Sequence, residues 1–399
     1  MKQKHIILRS VGPLSGSTEG FLGGMPGART ADVAPGALAV EVDEIDRRNV
    51  GAVARHRDVV AIAPAMPMKL VKPVEVSPSP KPKAATVAWG VEAVHADTSP
   101  FTGDGVVVAV LDTGIAKNHD AFKGLTIVEK DFTGEGNGDQ HGHGTHCAGT
   151  ILGRDTANTR IGVARGVKKA LIGKVLGNQG GGSDGIVSAM NWAVENGANV
   201  ISMSLGIDFP GFVKELTTTN GLPTELATSL ALEGYRLNVQ LFASVAASIR
   251  ALAQFHQPCL IVVAAGNESQ RDVNPDFEIA VAPPAVAEGN ISVAALGQSA
   301  GGLTVATFSN TGAIVSGPGV KIVSADRKSN TGLVQMSGTS MATPHVAGVA
   351  ALWGEKLKAD GQFNLSAWNS RLIASSVTSV LQSPFDPTDV GSGLVQAPQ

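Results

Sequence analysis

Ser340 lies in Gly338-Thr339-Ser340-Met341-Ala342-Thr343-Pro344-His345-Val346-Ala347-Gly348, between turn-forming residues and an apolar stretch. Val346, Val349, Ala350 and Trp353 recur at helical spacing, which predicts a helix that begins near Ser340 and carries Pro344 in its first turn. A serine at such a start meets unpaired backbone N–H groups and the positive end of the helix dipole, and both favour negative charge developing on its oxygen. That is how a nucleophile is built. A plain helix cap uses the same residue type, so this segment alone leaves both roles open.

Two other segments offer partners. Asp112, in Leu111-Asp112-Thr113-Gly114, ends a β-branched run from Val106 that reads as a strand buried on both faces of a parallel sheet. Ligand crevices of open α/β sheets form at such carboxyl ends, so a carboxylate here has a functional reading. The Asp-Thr-Gly of an aspartic protease is a rival, but that chemistry needs two carboxylates sharing a proton, and no second Asp-Thr-Gly or Asp-Ser-Gly occurs.

His143 stands in His141-Gly142-His143-Gly144-Thr145-His146-Cys147-Ala148-Gly149-Thr150, a small-residue stretch that reads as the opening of a closely packed helix. Zinc ligation by His143, His146 and Cys147 is weakened by the lack of a Glu general base between the histidines. His141 and His146 read as structural, with ring nitrogens bonded to nearby backbone. A thiol mechanism at Cys147 is weakened by its inward helical face, where low polarity raises the thiol pKa.

Asp112, His143 and Ser340 supply a charge-orienting carboxylate, a general base and a nucleophile, the division of labour of serine-dependent acyl transfer. With these three motifs in this order, the chain from about Thr86 onward resembles the subtilisin-like serine proteases, or subtilases; the order is that family's own. A fourth motif agrees. Leu260 to Ala264 reads as a buried strand leading into Ala265-Gly266-Asn267, and the resemblance implies that Asn267 donates a side-chain hydrogen bond to the oxyanion. A turn at Gly266-Asn267 is compatible with that role. Thr339 fits either an oxyanion or a turn role.

By the same resemblance Gly180, Gly181 and Gly182 form one cleft wall and Ser204, Leu205 and Gly206 the other. Glycines there let an extended peptide approach and pair as an added strand. Ala264, Ala265 and Gly266, with Ala282 near the base, are implied as the primary specificity pocket. Its small apolar walls suggest a large uncharged side chain before the scissile bond. The activity implied is that of an endopeptidase; a catalytically inactive peptide-binding relative is the alternative from another class.

These residues need a scaffold of alternating strands and helices. Strands are expected at Val106 to Leu111, Leu171 to Leu176, Val200 to Ser204, Leu260 to Ala264 and Ile291 to Ala295, with a helix over Asp184 to Asn196 capped by Ser183 or Asp184. Such alternation means an α/β fold, a parallel sheet flanked by helices. With 399 residues, 43% of them hydrophobic, and 48 glycines, the chain can bury a large core with tight βα turns.

Before Thr86 the pattern changes. Lys4 to Arg9, Ala37 to Val42 and Val59 to Ala63 read as short strands and Arg47 to His56 as a helix, followed by a run from Lys72 to Lys83 with four prolines. The expected organisation is a small α+β domain over 1–71, a Pro-rich linker over 72–85 and a peptidase domain over 86–399. The resemblance implies that 1–71 is a propeptide that assists folding and blocks the cleft as an intramolecular inhibitor; a permanently attached accessory domain is the other reading. Asp208 to Pro258 is longer than a compact subtilisin needs. Its Leu226, Leu230, Leu237, Leu241, Val245, Ile249 and Leu252 predict long helices whose added apolar face packs into the core.

A net charge of −3, no long basic run, one tyrosine and four tryptophans give no signature for nucleic acid or an anionic membrane as partner. No run reaches the length of a membrane span, and the start is too short in apolar residues for a signal peptide. Cys147 and Cys259 form no disulfide framework. A cytoplasmic location is therefore expected, with secretion open if a leader precedes this sequence. No cofactor is needed for the chemistry. Structural calcium is common among the relatives, but Asp131, Glu135 and Asp139 lie along a Gly-rich loop without a ligand-like spacing, so no metal ligand is assigned and the loop reads as solvated and acidic.

Overall fold

The computed structural model describes residues 2–11, 37–71, 73–78 and 86–399, with backbone alone at 75–78. Its centre is an eight-stranded sheet. Seven strands run side by side in the order Gly302–Val305, Ile291–Ser299, Leu260–Ala264, Val200–Met203, Val107–Asp112, Lys169–Lys174 and Thr126–Asp131, and Val315–Pro318 pairs with Ile291–Ser299. Every pairing is parallel except that of Gly302–Val305.

The middle strand shows why the sequence reads as a continuous apolar run. Val108 and Val110 enter one core layer, and Ala109 and Leu111 enter the other. On the first side lie the helices His143–Leu152 and Thr339–Ala359; on the second lie Ser183–Glu195 and Thr224–Leu252. The strand carrying Asp112 is thus clamped between two dry layers, and its carboxyl end is fixed beside the starts of the helices that carry His143 and Ser340.

Several boundaries differ from those expected. The helix predicted over Asp184 to Asn196 is Ser183–Glu195, capped by Gly182; the Ser183 hydroxyl accepts instead from Met66 N at 3.0 Å. The strand expected at Leu171 to Leu176 is Lys169–Lys174. Pro344 falls in the second turn of its helix, after Gly338 as cap.

The N-terminal region forms a three-stranded antiparallel sheet in the order Leu38–Asp46, Lys2–Ser10, Val59–Pro64, with a helix at Arg47–Ala54. Ile6, Leu8, Ala63 and Met66 belong to the same apolar cluster as Leu241 and Phe242 of Thr224–Leu252. Each fully buried aliphatic side chain in that shared layer contributes about 1.5–3 kcal/mol, so the region is packed on, not merely tethered. The segment 208–258 folds as two helices, Phe209–Thr218 and Thr224–Leu252. Leu226 is not on the buried face as expected, being 43% exposed. Ala227, Ala231 and Gly234 are buried there instead, and the missing side chain of Gly234 lets Pro64 and Met66 approach. Asn238, fully buried, donates to Pro64 O at 2.9 Å.

Part of the expected linker is a strand. Glu75–Pro78 pairs antiparallel with Leu333–Ser337, just ahead of Ser340. Residues 72 and 79–85 lie outside the described residues.

Candidate active site

Asp112 and His143 are both fully buried and in contact. His143 Nδ1 lies 2.8 Å from Asp112 Oδ1 and 3.0 Å from Oδ2, so Nδ1–H donates to the carboxylate and Nε2 is left as the base. Thr113 N donates to Asp112 Oδ1 at 2.7 Å and fixes the carboxylate from the other side. Burial is the largest single influence and lowers the His143 pKa, but the Asp112 charge, together with the Cys147 contact and the hydrogen bonds to both, holds the imidazole well above its ordinary value.

The helix that carries His143 comes very close to the Asp112 turn. A Cβ on Gly144 would stand 2.2 Å from Gly114 O, so only glycine permits this approach. Asp139 stitches the two segments together. Its Oδ1 accepts from Thr113 Oγ1, His141 N and Gly142 N at 2.9, 2.9 and 2.7 Å, and its Oδ2 accepts from Thr145 N and Oγ1 at 3.0 and 2.6 Å. The solvated acidic loop expected from sequence is therefore wrong for Asp139, which is only 8% exposed. Asp131 accepts from Thr133 and Gly136, while Glu135 pairs with buried Lys174 and accepts from Asn178 N, bracing the edge at Gly180.

His146 bonds Ile322 O at 3.0 Å as a buried structural histidine, with burial pulling its pKa to about 3. His141 departs from the structural role expected of it. Its ring is exposed and stands edge-on to His143 with centroids 6.4 Å apart, so it lines the rim of the site.

Ser340 is the second residue of its helix and fully buried. Pro344 has no N–H for the carbonyl of Ser340, and that oxygen accepts instead from Ser204 Oγ at 3.2 Å and from the Cys147 thiol at 3.4 Å. Cys147, 3.8 Å from His143 Nδ1, has its pKa raised by burial, as its inward face predicts. Asp112, His143 and Cys147 also converge closely enough to contact a cation, but two of them are already joined as carboxylate and base.

Asn267 lies beside Ser340. Its Oδ1 accepts from Thr339 N and Thr339 Oγ1, both at 2.9 Å, which fixes the side-chain amide and the helix start together. Gly266 has φ +116°, and a Cβ there would meet Asn310 Nδ2 at 2.2 Å. Ala264 and Ala265 are buried at the end of the adjoining strand. Ala282 is half-buried next to Pro283, whose carbonyl accepts from Ile207 N at 3.0 Å.

The cleft walls come together across a third strand. Pro67–Leu70 pairs antiparallel with Gly181–Gly182 on one side and with Leu205–Ile207 on the other, matching Lys69 with Gly206. Gly180 sits in the turn before Gly181, with φ +85°. The strand is followed by Val71, which is 3% exposed, and whose carbonyl oxygen accepts from Ser340 Oγ at 2.9 Å. An added Cβ on Gly206 would lie 3.9 Å from Val71 Cγ2. The medium, β-branched side chain of Val71 thus lies beside Gly206.

The family model described as the subtilase family matches residues 103–388. The chain belongs to the subtilase family. A cuticle-degrading serine protease of Arthrobotrys oligospora is 34% identical over 288 residues, covering 66% of this chain and 58% of that protein. A subtilisin-like protease 1 of Trichophyton tonsurans is 32% identical over 316 residues, covering 77% of this chain and 52% of its own length. This subtilase therefore spans little more than half of these curated relatives. Among solved structures, fervidolysin from Fervidobacterium pennivorans, a keratinolytic enzyme related to subtilisin, has the same fold: TM-score 0.66 at 20% identity, covering 99% of this chain and 60% of that one.

Sequence reasoning missed three contributors to the site. Asp139 looked like one carboxylate among several in a loop. The hydrogen bond from the Ser204 hydroxyl to the Ser340 carbonyl has no local pattern. Val71 reads in the sequence only as the residue before a Pro-rich run.

Proposed function

We propose that this chain is a serine endopeptidase that holds its own N-terminal region in the cleft as a substrate-like inhibitor and cuts itself after Val71. The observation that carries the reading is the strand Pro67–Leu70 seated between both cleft walls, with the Val71 carbonyl on Ser340 Oγ. A peptide bound by strand addition has its carbonyls aligned for attack in this way.

In the reaction His143 Nε2 takes the hydroxyl proton as Ser340 Oγ attacks the carbonyl carbon. Asp112 keeps the imidazole in the required tautomer and stabilises its cation. The negative charge that develops on the carbonyl oxygen is met by the Asn267 amide and the Ser340 N–H. Collapse of the tetrahedral intermediate breaks the C–N bond, and His143 returns the proton to the leaving amine. Water then attacks the acyl-enzyme by the same proton transfers in reverse. Protein or peptide substrates would bind where 67–71 now lies, once that segment has left.

The test is to incubate purified wild type beside Ser340→Ala and follow intact mass. Cleavage between Val71 and Lys72 in wild type alone is the expected result. If both proteins stay uncut under all conditions, self-processing is wrong; if wild type also fails to react with a fluorophosphonate at Ser340, the serine mechanism is wrong.

A further inference from the structure

Lys69 occupies the third position before the bond after Val71, and its side chain does not simply point to water. Its Nζ lies 3.3 Å from Asp208 Oδ1 and 3.6 Å from Glu268 Oε1. The two carboxylates come from separate segments of the chain. Asp208 follows the wall strand Leu205–Ile207, and Glu268 follows Asn267.

Neither carboxylate depends on Lys69 for its place. Asp208 caps the helix Phe209–Thr218 by accepting from Gly211 N at 3.2 Å, and its own N–H donates to Pro67 O at 3.0 Å. Glu268 is held by Asn310 at two points: Glu268 N donates to Asn310 Oδ1 at 2.9 Å, and Asn310 Nδ2 donates to Glu268 Oε2 at 2.8 Å. Glu268 Oε1 is left facing the strand. Two negative charges fixed within reach of one ammonium repel each other when the cation is absent, so this geometry favours a cation over a neutral side chain.

The geometry points to Asp208 and Glu268 as specificity-determining residues that read a basic side chain three positions before the scissile bond. This rests on the reading of 67–71 as a substrate-like strand. The recognised class is therefore an extended peptide with Lys or Arg at that position, an aliphatic residue at each of the next two, and cleavage after the second. Lys69 and both carboxylates are about one-third exposed, with side-chain exposures of 34%, 33% and 37%. The discrimination should accordingly be modest, about two- to tenfold, and should shrink in salt.

Two readouts test it. In the full chain carrying Ser340→Ala, which cannot turn over, hydrogen exchange across 67–71 is compared for Lys69, Lys69→Met and Lys69→Glu, each with and without Asp208→Asn plus Glu268→Gln. Lys69→Glu should speed exchange by about tenfold and Lys69→Met by a few-fold, and both effects should vanish in the neutralised background. In the competent chain after self-cleavage, peptides ending Met-X-Leu-Val before the cut should show kcat/KM falling from X = Lys to norleucine to Glu, and flattening with the double substitution. Equal exchange for all three residues at 69, or a Lys preference that survives loss of both carboxylates, overturns the assignment. Failure of wild type to cut any peptide would instead overturn the endopeptidase reading, leaving the exchange comparison to decide this one.

Discussion

Ser340 donates its hydroxyl hydrogen to the Val71 carbonyl oxygen at 2.9 Å and not to His143, whose Nε2 has no hydrogen-bond partner among the described residues. The proton that must pass from oxygen to imidazole in the proposed reaction is directed at the Val71 carbonyl. A hydrogen bond between Ser340 Oγ and His143 Nε2 must form before that proton can pass.

The protonation state of His143 then controls the step. Burial lowers its pKa, the Asp112 carboxylate and the Cys147 contact together raise it by more, and the balance lies well above 6.5. A base must be neutral, so the reactive form gains population as pH rises through that raised value. Self-cleavage should be slow at about pH 6 and accelerate toward about pH 9. Mass spectrometric time courses across that range check it; a flat rate would mean that a step other than proton transfer to His143 limits.

Asn267 should contribute mainly to the transition state. Its Oδ1 is already committed to Thr339, which directs the Nδ2 end of the amide to the remaining role of donor. Asn267→Asp keeps an acceptor for Thr339 but loses that donor and adds a charge of the wrong sign. Turnover should drop by about a hundred- to a thousandfold or more, with KM little changed. A loss confined to KM would remove Asn267 from the oxyanion role.

Cys147 should be dispensable for chemistry. Its thiol touches the Ser340 carbonyl, but Ser204 bonds the same oxygen, and burial keeps the sulfur protonated. Cys147→Ala should retain activity within a few-fold while losing about 1–2 kcal/mol of stability from the lost contacts. Abolished activity in a variant that still folds would reopen the thiol mechanism.

Asp139 is expected to act as a positioning residue. Its five hydrogen bonds tie Thr113, next to Asp112, to the helix start that carries His143. Asp139→Asn would turn an amide N–H₂ toward groups that are themselves donors. A displacement of about 1 Å between base and nucleophile can cost about a hundredfold in rate, so kcat should fall by up to that amount with KM nearly constant. The pH dependence of kcat should shift as well, since the Asp112–His143 contact sets the imidazole pKa; an unchanged profile with lowered melting temperature would reduce Asp139 to a stability role.

What was legible in the sequence was whatever has a short period or a short motif. Parallel strands buried on both sides show as runs such as Val106 to Leu111, and Asp112, His143, Asn267 and Ser340 each stand where such an element meets a turn. Illegible were contacts made across long separations by residues with no pattern of their own. Lys69 meets Asp208 and Glu268 only because a strand from the N-terminal region crosses the cleft. Leu226 misled because heptad-like leucines suggest one face, whereas the buried positions of this helix include the small residues Ala227, Ala231 and Gly234, the last of them against Pro64 and Met66. Pro344 looked like a first-turn residue, and its actual place explains why the Ser340 carbonyl looks to Ser204.

Two buried histidines outside the catalytic pair make an acid-sensitivity prediction. His146 bonds Ile322 O, and His345 Nδ1 bonds Met341 O at 2.8 Å; burial pulls their pKa values from 6.5 to about 3 and about 4. The folded state holds both rings neutral, while the unfolded chain binds protons to them below pH 6.5. Their contribution to stability is therefore complete above that pH and is lost as pH falls toward the folded values, at about 1.4 kcal/mol per pH unit for each ring. His143 has the opposite sign: its raised pKa adds stability below pH 6.5 that fades as pH rises through the folded value. Denaturant unfolding of the Ser340→Ala chain, which avoids self-digestion, should give a stability that falls steeply below about pH 6. Replacing His345 by Gln should reduce that slope by about one proton; an unchanged slope in a folded variant would show that carboxylates, not this histidine, govern the acid limb.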